Sequence, residues 1–288
     1  MNIDKKMAQK ILPHRKSNSH KGTFGTVLII GGSRNMPGAP CIAALGAIKS
    51  GAGLVKIAFP DTIYCAVTAH LSDCVYLPLY TNENGMISSR YFSVLTEEMN
   101  KASSIIIGCG MGVCPDTELI VEYVIENTCC TVILDADALN CVAKNPNILT
   151  KSKSGLILTP HPGEMARLFK KETEFINENR QSVSLSFAEK YGVTLLLKGQ
   201  NTVIANKDGD IRINTTGNSG LAKGGSGDLL SGIIGALAAN TNAFDAASLG
   251  AYLHGLAGDF AIKNHTQYSL TQAICADYLG EAFKSLIE

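Results

Sequence analysis

The chain has 288 residues, of which 45% are hydrophobic and 17% charged, and its 25 basic side chains balance 25 acidic ones. This composition excludes a disordered or fibrous chain. The zero formal charge gives no overall field that would draw the protein to nucleic acid or to an anionic membrane. Because the composition never shifts toward a linker, we expect a single α/β domain spanning residues 1–288.

The nine cysteines contain no C-x-x-C pair, and an odd number cannot all pair within one chain. Most of them adjoin apolar residues, so we interpret all nine as reduced thiols without a functional role. The sequence starts without the apolar segment of a secretory signal, and no apolar run reaches the length of a membrane span. These features predict a cytoplasmic protein.

The N-terminal part of the chain predicts a βαβ unit. Asp4 is expected to cap a short helix, and residues 26–30 are apolar throughout, as in a strand covered on both faces. Residues 41–50 form a helical pattern of small residues, which would let this helix approach the sheet closely, and residues 54–59 predict the next strand. Ala39, at the helix start, either faces a ligand over the strand ends or serves only turn geometry.

A second glycine-containing turn follows further along the chain. Residues 61–102 predict two helices and a short strand, without a pattern that indicates chemistry. The next strand, residues 104–107, ends in Gly108-Cys109-Gly110-Met111-Gly112, a turn that favours an anion at the start of the following helix. The turn resembles the Rossmann G-x-G-x-x-G pattern, but Val113 stands where the third glycine would be.

Two acids follow the next buried strand, residues 131–134. Asp135 and Asp137 would lie at the carboxyl edge of the sheet, where ligands of open α/β sheets bind. Either acid can instead cap the helix that follows. We therefore assign neither of them to catalysis.

The segment Thr159-Pro160-His161-Pro162-Gly163-Glu164 holds an imidazole in a stiff turn after the strand at residues 155–158. Proline on both sides of His161 fixes the backbone, which favours contact between the imidazole and a ligand. Glu164 has two alternative roles, orienting a magnesium-bound water or capping the next helix.

A helix at residues 177–191 and a strand at residues 193–197 lead to Lys198-Gly199-Gln200-Asn201-Thr202. A lysine at a strand end, followed by glycine, is well placed to meet a phosphate. Residues 203–206 and 211–213 then predict a hairpin added to the parallel sheet.

The segment from Asn214 to Asp228 contains five glycines between positions 217 and 227 and runs into the apolar helix at residues 229–239. Backbone amides of such a turn, with the helix dipole behind them, form an anion hole. Asp228 would repel an anion unless it acts chemically, so we interpret it as a general base. The alternative is a residue that only favours the first helical turn. The anion hole is predicted at Gly224, Gly225, Ser226 and Gly227.

The segment ending at Asp228 resembles the GN-x-GLA-x-GG-[ST]-GD motif of ADP- or ATP-dependent NAD(P)H-hydrate dehydratases. Motifs at residues 21–25, 51–55, 158–164 and 198–202 extend this resemblance over nearly the whole chain. The resemblance implies a ribokinase-like three-layer α/β/α sandwich, with a mainly parallel central sheet and an antiparallel edge hairpin. Alternation of strands and helices predicts the same architecture without it.

The resemblance also implies an activity, in which the enzyme restores NADH or NADPH from the S epimer of its hydrated form at the expense of ADP or ATP, with Mg²⁺. Carried over residue by residue, Ala39, Gly110, His161 and Asp228 would contact the hydrated dinucleotide. Cys109 and Met111 depart from the commoner G-P-G-[LM]-G wording of the family, which puts the local turn shape in doubt. The nucleotide would contact Lys198, Gly199, Gln200, Asn201, Thr202 and Gly227.

The related epimerase needs a further domain, so we expect a separate epimerase as a functional partner. Exposed faces of the small-residue helices would suit a homo-oligomer. Three alternatives remain: a vitamin or coenzyme-precursor kinase of the same fold (hydroxyethylthiazole or pyridoxal type), a dinucleotide oxidoreductase using residues 108–112 and Asp135, and a nucleotide-sensing module. Neither of the last two explains why Asp228 follows the glycine-rich turn.

Overall fold

The computed structural model describes residues 1–288, with the exception of the Tyr91 side chain. Short 3₁₀ turns lie at Lys21–Phe24, Asp61–Ile63, Ser89–Tyr91, Pro146–Lys151 and Ser219–Leu221. The strands are β1 Thr26–Ile30, β2 Leu54–Pro60, β3 Val75–Leu79, β4 Ser104–Ile107, β5 Thr131–Leu134, β6 Leu156–Leu158, β7 Thr194–Leu197, β8 Thr202–Ala205 and β9 Ile211–Asn214. The helices are α1 Lys5–Ile11, α2 Gly38–Lys49, α3 Tyr64–Thr68, α4 Phe92–Met99, α5 Pro115–Asn127, α6 Asp137–Lys144, α7 Pro162–Phe169, α8 Thr173–Glu178, α9 Arg180–Tyr191, α10 Ser226–Ala238, α11 Ala243–Ala261, α12 Gln272–Asp277 and α13 Leu279–Ile287.

Within the described residues, the strands form one sheet in the order β3-β2-β1-β4-β5-β6-β7-β8-β9. Strands β1 to β7 pair in parallel, and β8 and β9 add antiparallel at one edge. In register, Val27 of β1 lies opposite Val55 of β2 and Ser104 of β4. The direction of chain progression reverses between β1 and β4, and ligands bind at such switch points in open α/β sheets.

Alternate residues of the strands pack into two helical layers. In β1, Val27 and Ile29 pack in a core with α1, α2 and α10 to α13, whereas Leu28 and Ile30 pack in a second core with α4 to α9. Strands buried on both faces need apolar residues at every position, which explains their continuous apolar runs. This arrangement confirms the predicted three-layer sandwich with an antiparallel edge hairpin.

One predicted helix differs from the observed structure. The helix predicted at residues 177–191 is divided at Asn179 into α8 and α9.

The small residues of α2 serve a close crossing with α10, because a side chain on Gly46 would overlap the Leu229 carbonyl and one on Gly232 would overlap the Ala43 carbonyl. This face is therefore covered within the chain, so a homo-oligomer would use a different surface.

The N-terminal prediction is confirmed in detail, since Asp4 is the N-cap of α1 and its carboxylate accepts a hydrogen bond from the Met7 amide at 2.8 Å. Among the described residues, no helix has both the length and the apolar character that crossing a bilayer requires.

Candidate active site

The glycine-rich segment ends at the first turn of α10. Gly225 precedes the helix with a φ of 85°, a left-handed conformation that favours glycine. The amides of Gly227 and Asp228 lie in the first helical turn, where N–H groups find no acceptor within the helix. A methyl group on Gly224 would meet no heavy atom of the described structure within 4 Å. The turn thus presents amide donors and the positive end of the helix dipole to open space, as an anion site requires.

A buried ion pair lies beside this helix start. Lys198 Nζ donates to Asp135 Oδ1 at 2.8 Å, and a Cβ atom on Gly227 would lie 3.1 Å from the same ammonium. Burial opposes the charge on Asp135, but Lys198 and the hydroxyls of Thr159 and Ser231 outweigh it and hold the pKa of Asp135 below its usual value. Burial also opposes the charge on Lys198, yet the neighbouring acids raise the pKa of Lys198 above its usual value. Both groups are therefore charged at neutral pH.

The two acids after β5 have different surroundings. Asp135 accepts from Thr159 Oγ1 at 2.8 Å and from Ser231 Oγ at 2.9 Å, in addition to Lys198. The N-cap residue of α6 is Ala136, so the capping interpretation is wrong for Asp135. Asp137 lies in the first turn of α6, where its Oδ2 accepts from the Gly112 amide at 2.8 Å. Asp137 therefore secures the turn after β4.

Asp228 has two close neighbours from the ends of parallel strands. The Cys109 sulfur and one carboxylate oxygen each of Asp135 and Asp228 all lie within 4.8 Å of one another. Burial, assisted by the charge of Asp135, raises the pKa of Asp228 to about 7, while Cys109 and Lys198 act in the opposite direction. A carboxyl group that titrates near neutral pH can accept a proton and release it again, as a general base must.

Residues 198–202 connect β7 to β8 in a tight turn. Gly199 and Asn201 have φ angles of 133° and 55°, and Thr202 Oγ1 donates to the Gly199 carbonyl at 2.8 Å. From the other side, Arg180 Nη2 donates to the carbonyls of Leu197 and Lys198 at 2.9 and 3.2 Å. The turn is thereby fixed while Gln200 remains exposed.

A cleft of about 860 Å³ joins this turn to the glycine-rich segment. One wall is held by Asp259, which accepts from the Gly217 amide at 2.8 Å and from Asn218 Nδ2 at 3.0 Å. Every residue predicted to contact the nucleotide lines this cleft. Its lining includes His161, Lys198, Gly199, Gln200, Asn201, Thr202, residues 214–219, Gly224, Ser226, Gly227, Leu230 and His254.

His161 and Glu164 form the start of α7. His161 is the N-cap, where its Nδ1 accepts from the amides of Gly163 and Glu164 at 3.0 and 3.3 Å. Glu164 Oε2 accepts in return from the His161 amide at 2.8 Å, completing a capping box. The capping alternative for Glu164 is thus observed. Burial, with Lys198 and Arg167 nearby, lowers the pKa of His161, so the half-exposed imidazole is neutral at pH 7.

Ala39 and Gly110 lie together at the switch point between β1 and β4. A Cβ atom on Gly110, whose φ is 66°, would lie 2.8 Å from Ala39 Cβ. The structure therefore brings these two predicted ligand contacts together. His161 instead lines the cleft that also contains Lys198, and neither Ala39 nor Gly110 belongs to that lining.

Three residues near the site carry no signal in the local sequence. Cys109 is fully buried with its sulfur close to Asp228, and all nine thiols are free as expected. His254, in the middle of α11, lines the cleft, and burial lowers its pKa to about 4. Gln272 Nε2 lies 3.5 Å from the Gly224 carbonyl beneath the glycine turn. Only the tertiary fold places these side chains here.

A helix start with free amides, a charged lysine and a carboxyl group of raised pKa meet at the carboxyl edge of a sheet of the ribokinase-like class. The model of the NAD(P)H-hydrate dehydratase family matches residues 27–278. The chain belongs to this family.

Relatives of known name support the same assignment. A bifunctional NAD(P)H-hydrate repair enzyme of Moorella thermoacetica is 38% identical over 278 residues, covering 96% of the chain and 52% of that protein. An ADP-dependent (S)-NAD(P)H-hydrate dehydratase of Bacillus subtilis is 35% identical, over 95% of the chain and 94% of the relative.

A crystal structure from Bacillus subtilis, described as an ADP/ATP-dependent NAD(P)H-hydrate dehydratase co-crystallised with ATP and Mg²⁺, superposes with a TM-score of 0.85 at 31% identity, covering 98% of this chain and 97% of that one. The chain spans about half the length of its bifunctional relatives.

Proposed function

We propose that this protein uses ADP or ATP to dehydrate the S epimer of hydrated NADH or NADPH, which restores the reduced dinucleotide. The observation that carries the proposal is the position of Asp228. Its carboxyl group, with a pKa raised to about 7 by burial, lies at the junction of the glycine-rich anion site and the Cys109–Gly110 turn at the switch point.

The nucleotide occupies the cleft beside the turn at residues 198–202. Its terminal phosphoryl group meets the amides of the glycine turn at the start of α10, and Lys198 compensates its charge. The hydrated ring lies over Ala39 and Gly110, which pack against each other at the switch point. This placement supports an approach of the ring hydroxyl between Asp228 and the terminal phosphoryl group.

The chemistry proceeds in two stages. Asp228 accepts the proton of the ring hydroxyl while the hydroxyl oxygen bonds to phosphorus, and the bond from phosphorus to the nucleotide's bridging oxygen breaks. ATP leaves as ADP, and ADP leaves as AMP. The ring nitrogen lone pair then expels the new ester oxygen as phosphate, and loss of a proton from the neighbouring carbon restores the ring double bond. Phosphorylation thus converts a poor leaving group into a good one.

Magnesium is proposed to enter with the nucleotide. Asp135 is engaged by Lys198, and Glu164 is engaged by the His161 amide, so these carboxylates already have partners. Mg²⁺ readily keeps phosphate and water oxygens as most of its ligands. The donor set therefore fits an ion bound mainly by the nucleotide phosphates, which would neutralise the charge on the transferred group, and we assign no protein ligand to it.

The test is to incubate hydrated NADH or NADPH with the protein, Mg²⁺, and ADP or ATP in turn. Recovered absorbance of reduced nicotinamide, with one inorganic phosphate per turnover, is the expected result. A vitamin or coenzyme-precursor kinase would instead leave a stable phosphorylated alcohol, and a nucleotide-sensing module would bind without turnover. Either of these outcomes would overturn the proposal.

We further propose a cytoplasmic location, a homo-oligomer, and cooperation with a separate epimerase that supplies the S epimer. Cell fractionation tests the location, and the mass of the protein in solution tests the oligomeric state. Adding an epimerase to a mixture of both epimers tests the cooperation, because the yield of reduced dinucleotide should rise from the fraction present as S epimer to completion.

A further inference from the structure

The turn after β4 holds a buried thiol against the proposed base. Cys109 has no exposed surface, and its carbonyl accepts from the Gly32 amide at 2.8 Å. The flanking Gly108 and Gly110 have φ angles of 121° and 66°, conformations that residues with side chains rarely adopt. These conformations shape the backbone on both sides of Cys109, and its sulfur lies within 4.8 Å of a carboxylate oxygen of Asp228.

The other groups around Asp228 are bound elsewhere. Asp135, from the end of β5, is itself an acceptor, and Lys198, from the end of β7, donates to Asp135. The remaining polar groups on elements packed against α10 also have other partners: Asp137 accepts from Gly112, His254 of α11 faces Ser226, and Cys41 of α2 donates to the carbonyls of Pro37 and Val67. The Cys109 thiol, by contrast, lies within 4.8 Å of an Asp228 carboxylate oxygen and has no other side-chain or backbone hydrogen-bond partner among the described residues.

The Cys109 thiol keeps its proton. Burial and the charges of Asp228 and Asp135 raise the pKa of Cys109 well above its usual value. A protonated thiol is a weak hydrogen-bond donor and not a nucleophile.

We propose that Cys109 is a positioning residue for Asp228, whose carboxylate accepts a hydrogen bond from the Cys109 S–H and is thereby oriented and stabilised in its ionised form. The catalytic consequence rests on the proposed function, in which Asp228 is the base. The hydrogen bond itself does not rest on it.

The experiment compares Cys109→Ala, which removes the donor, with Cys109→Ser, which replaces it by a stronger one. Cys114→Ala is the matched control, because Cys114 is also buried in this turn but its sulfur faces Thr117 and Asn82. The Asp228 carboxyl group is titrated by ¹³C NMR in each intact protein, with Asp228→Asn to assign its signal. The pH profile of kcat is recorded for the same set.

In Cys109→Ala, the pKa of Asp228 should rise by about half a unit to one unit, which corresponds to the loss of one hydrogen bond. The acid limb of the kcat profile should move up by the same amount. Affinity for nucleotide should stay unchanged. Asp228 should titrate below the wild-type value in Cys109→Ser and at the wild-type value in Cys114→Ala.

The proposal is overturned if the pKa of Asp228 is the same in wild type, Cys109→Ala and Cys109→Ser. It is also overturned if both variants shift that pKa equally, because an equal shift indicates an effect of packing alone. If Cys109→Ala does not fold, the direction of the shift in Cys109→Ser decides, because a stronger donor must lower the pKa. Full turnover by Asp228→Asn would instead contradict the proposed function, while the NMR titration would still measure the hydrogen bond.

Discussion

The two sides of Asp228 are lined by different kinds of residues. Toward the cleft, the walls carry fixed polar groups, namely the Lys198–Asp135 pair, the turn at residues 198–202 and the amides at the start of α10. Toward the switch point, the small residues Ala39 and Gly110 pack closely against each other and against Met36. A polar wall selects by charge and hydrogen bonds, whereas a wall of small residues selects by shape. The comparison therefore predicts that substitutions on the two sides will fail in different ways.

The largest effect is expected where the two sides meet. Asp228→Asn keeps the size of the side chain but removes the base, so turnover should fall by about 10² to 10⁴. Nucleotide affinity, measured by calorimetry, should persist because one negative charge near the phosphates has gone. Turnover within threefold of wild type would remove Asp228 from the mechanism.

Stability provides the control for this variant. Because the pKa of Asp228 is about 7 in the folded protein, well above the unfolded value of 3.8, its contribution to stability falls as pH rises from about 4 to 7. Asn does not ionise, so the variant should melt no lower than wild type at pH 8. A lower melting temperature there would indicate that the loss of turnover is structural.

Lys198→Ala tests the polar side. Losing a charged hydrogen bond to phosphate costs about 1.5 to 3 kcal/mol, so nucleotide affinity should fall about 10- to 100-fold, with a smaller effect on the hydrated dinucleotide. The variant also leaves Asp135 buried without its counter-ion, so its melting temperature should fall.

Lys198→Ala combined with Asp135→Asn separates these two effects. The double variant should regain much of the stability but not the affinity for nucleotide. Unchanged nucleotide affinity in Lys198→Ala would contradict the assignment of this lysine.

Gly110→Ala tests the side built from small residues. The added methyl group would lie 2.8 Å from Ala39 Cβ at a positive φ, so the switch point must shift. We expect KM for the hydrated dinucleotide to rise about tenfold, by analogy with the cost of one misplaced methyl group in a binding pocket. Nucleotide affinity should stay the same. Ala39→Gly in the same chain removes one of the close contacts, while those with Met36 at 2.9 and 3.0 Å stay, so KM should be restored only in part.

His161→Asn should give the smallest effect. Asparagine keeps an oxygen acceptor at the N-cap of α7, so the fold should be retained, while the imidazole is lost. KM for the hydrated dinucleotide should rise severalfold. If KM for the nucleotide rises instead, His161 contacts the nucleotide in the cleft whose lining it shares with Lys198.

The sequence predicted those features that depend on neighbouring residues. The apolar strands, the glycine run before Asp228 and the turn after Lys198 are all local patterns, and the structure contains each of them. It could not place Cys109 against Asp228, because that contact joins residues more than a hundred positions apart. The same holds for the choice between capping and ion pairing at Asp135, which depends on Lys198 from another strand.

The crossing of α2 over α10 shows the same limit. Glycines and alanines in a helix predict that something approaches closely, but they do not say what. Gly46 and Gly232 allow the backbones of two helices to meet, and this meeting places the start of α10 beside the switch point.

Asp135 has a further consequence for how the molecule folds. Its carboxylate accepts from Thr159, Lys198 and Ser231, which lie 24, 63 and 96 residues further along the chain. No contiguous fragment of ordinary length contains this set, and contacts of such sequence separation form only after extensive loop closure. Formation of this network during refolding therefore reports the joint assembly of residues 135–231, rather than the formation of any single helix or strand.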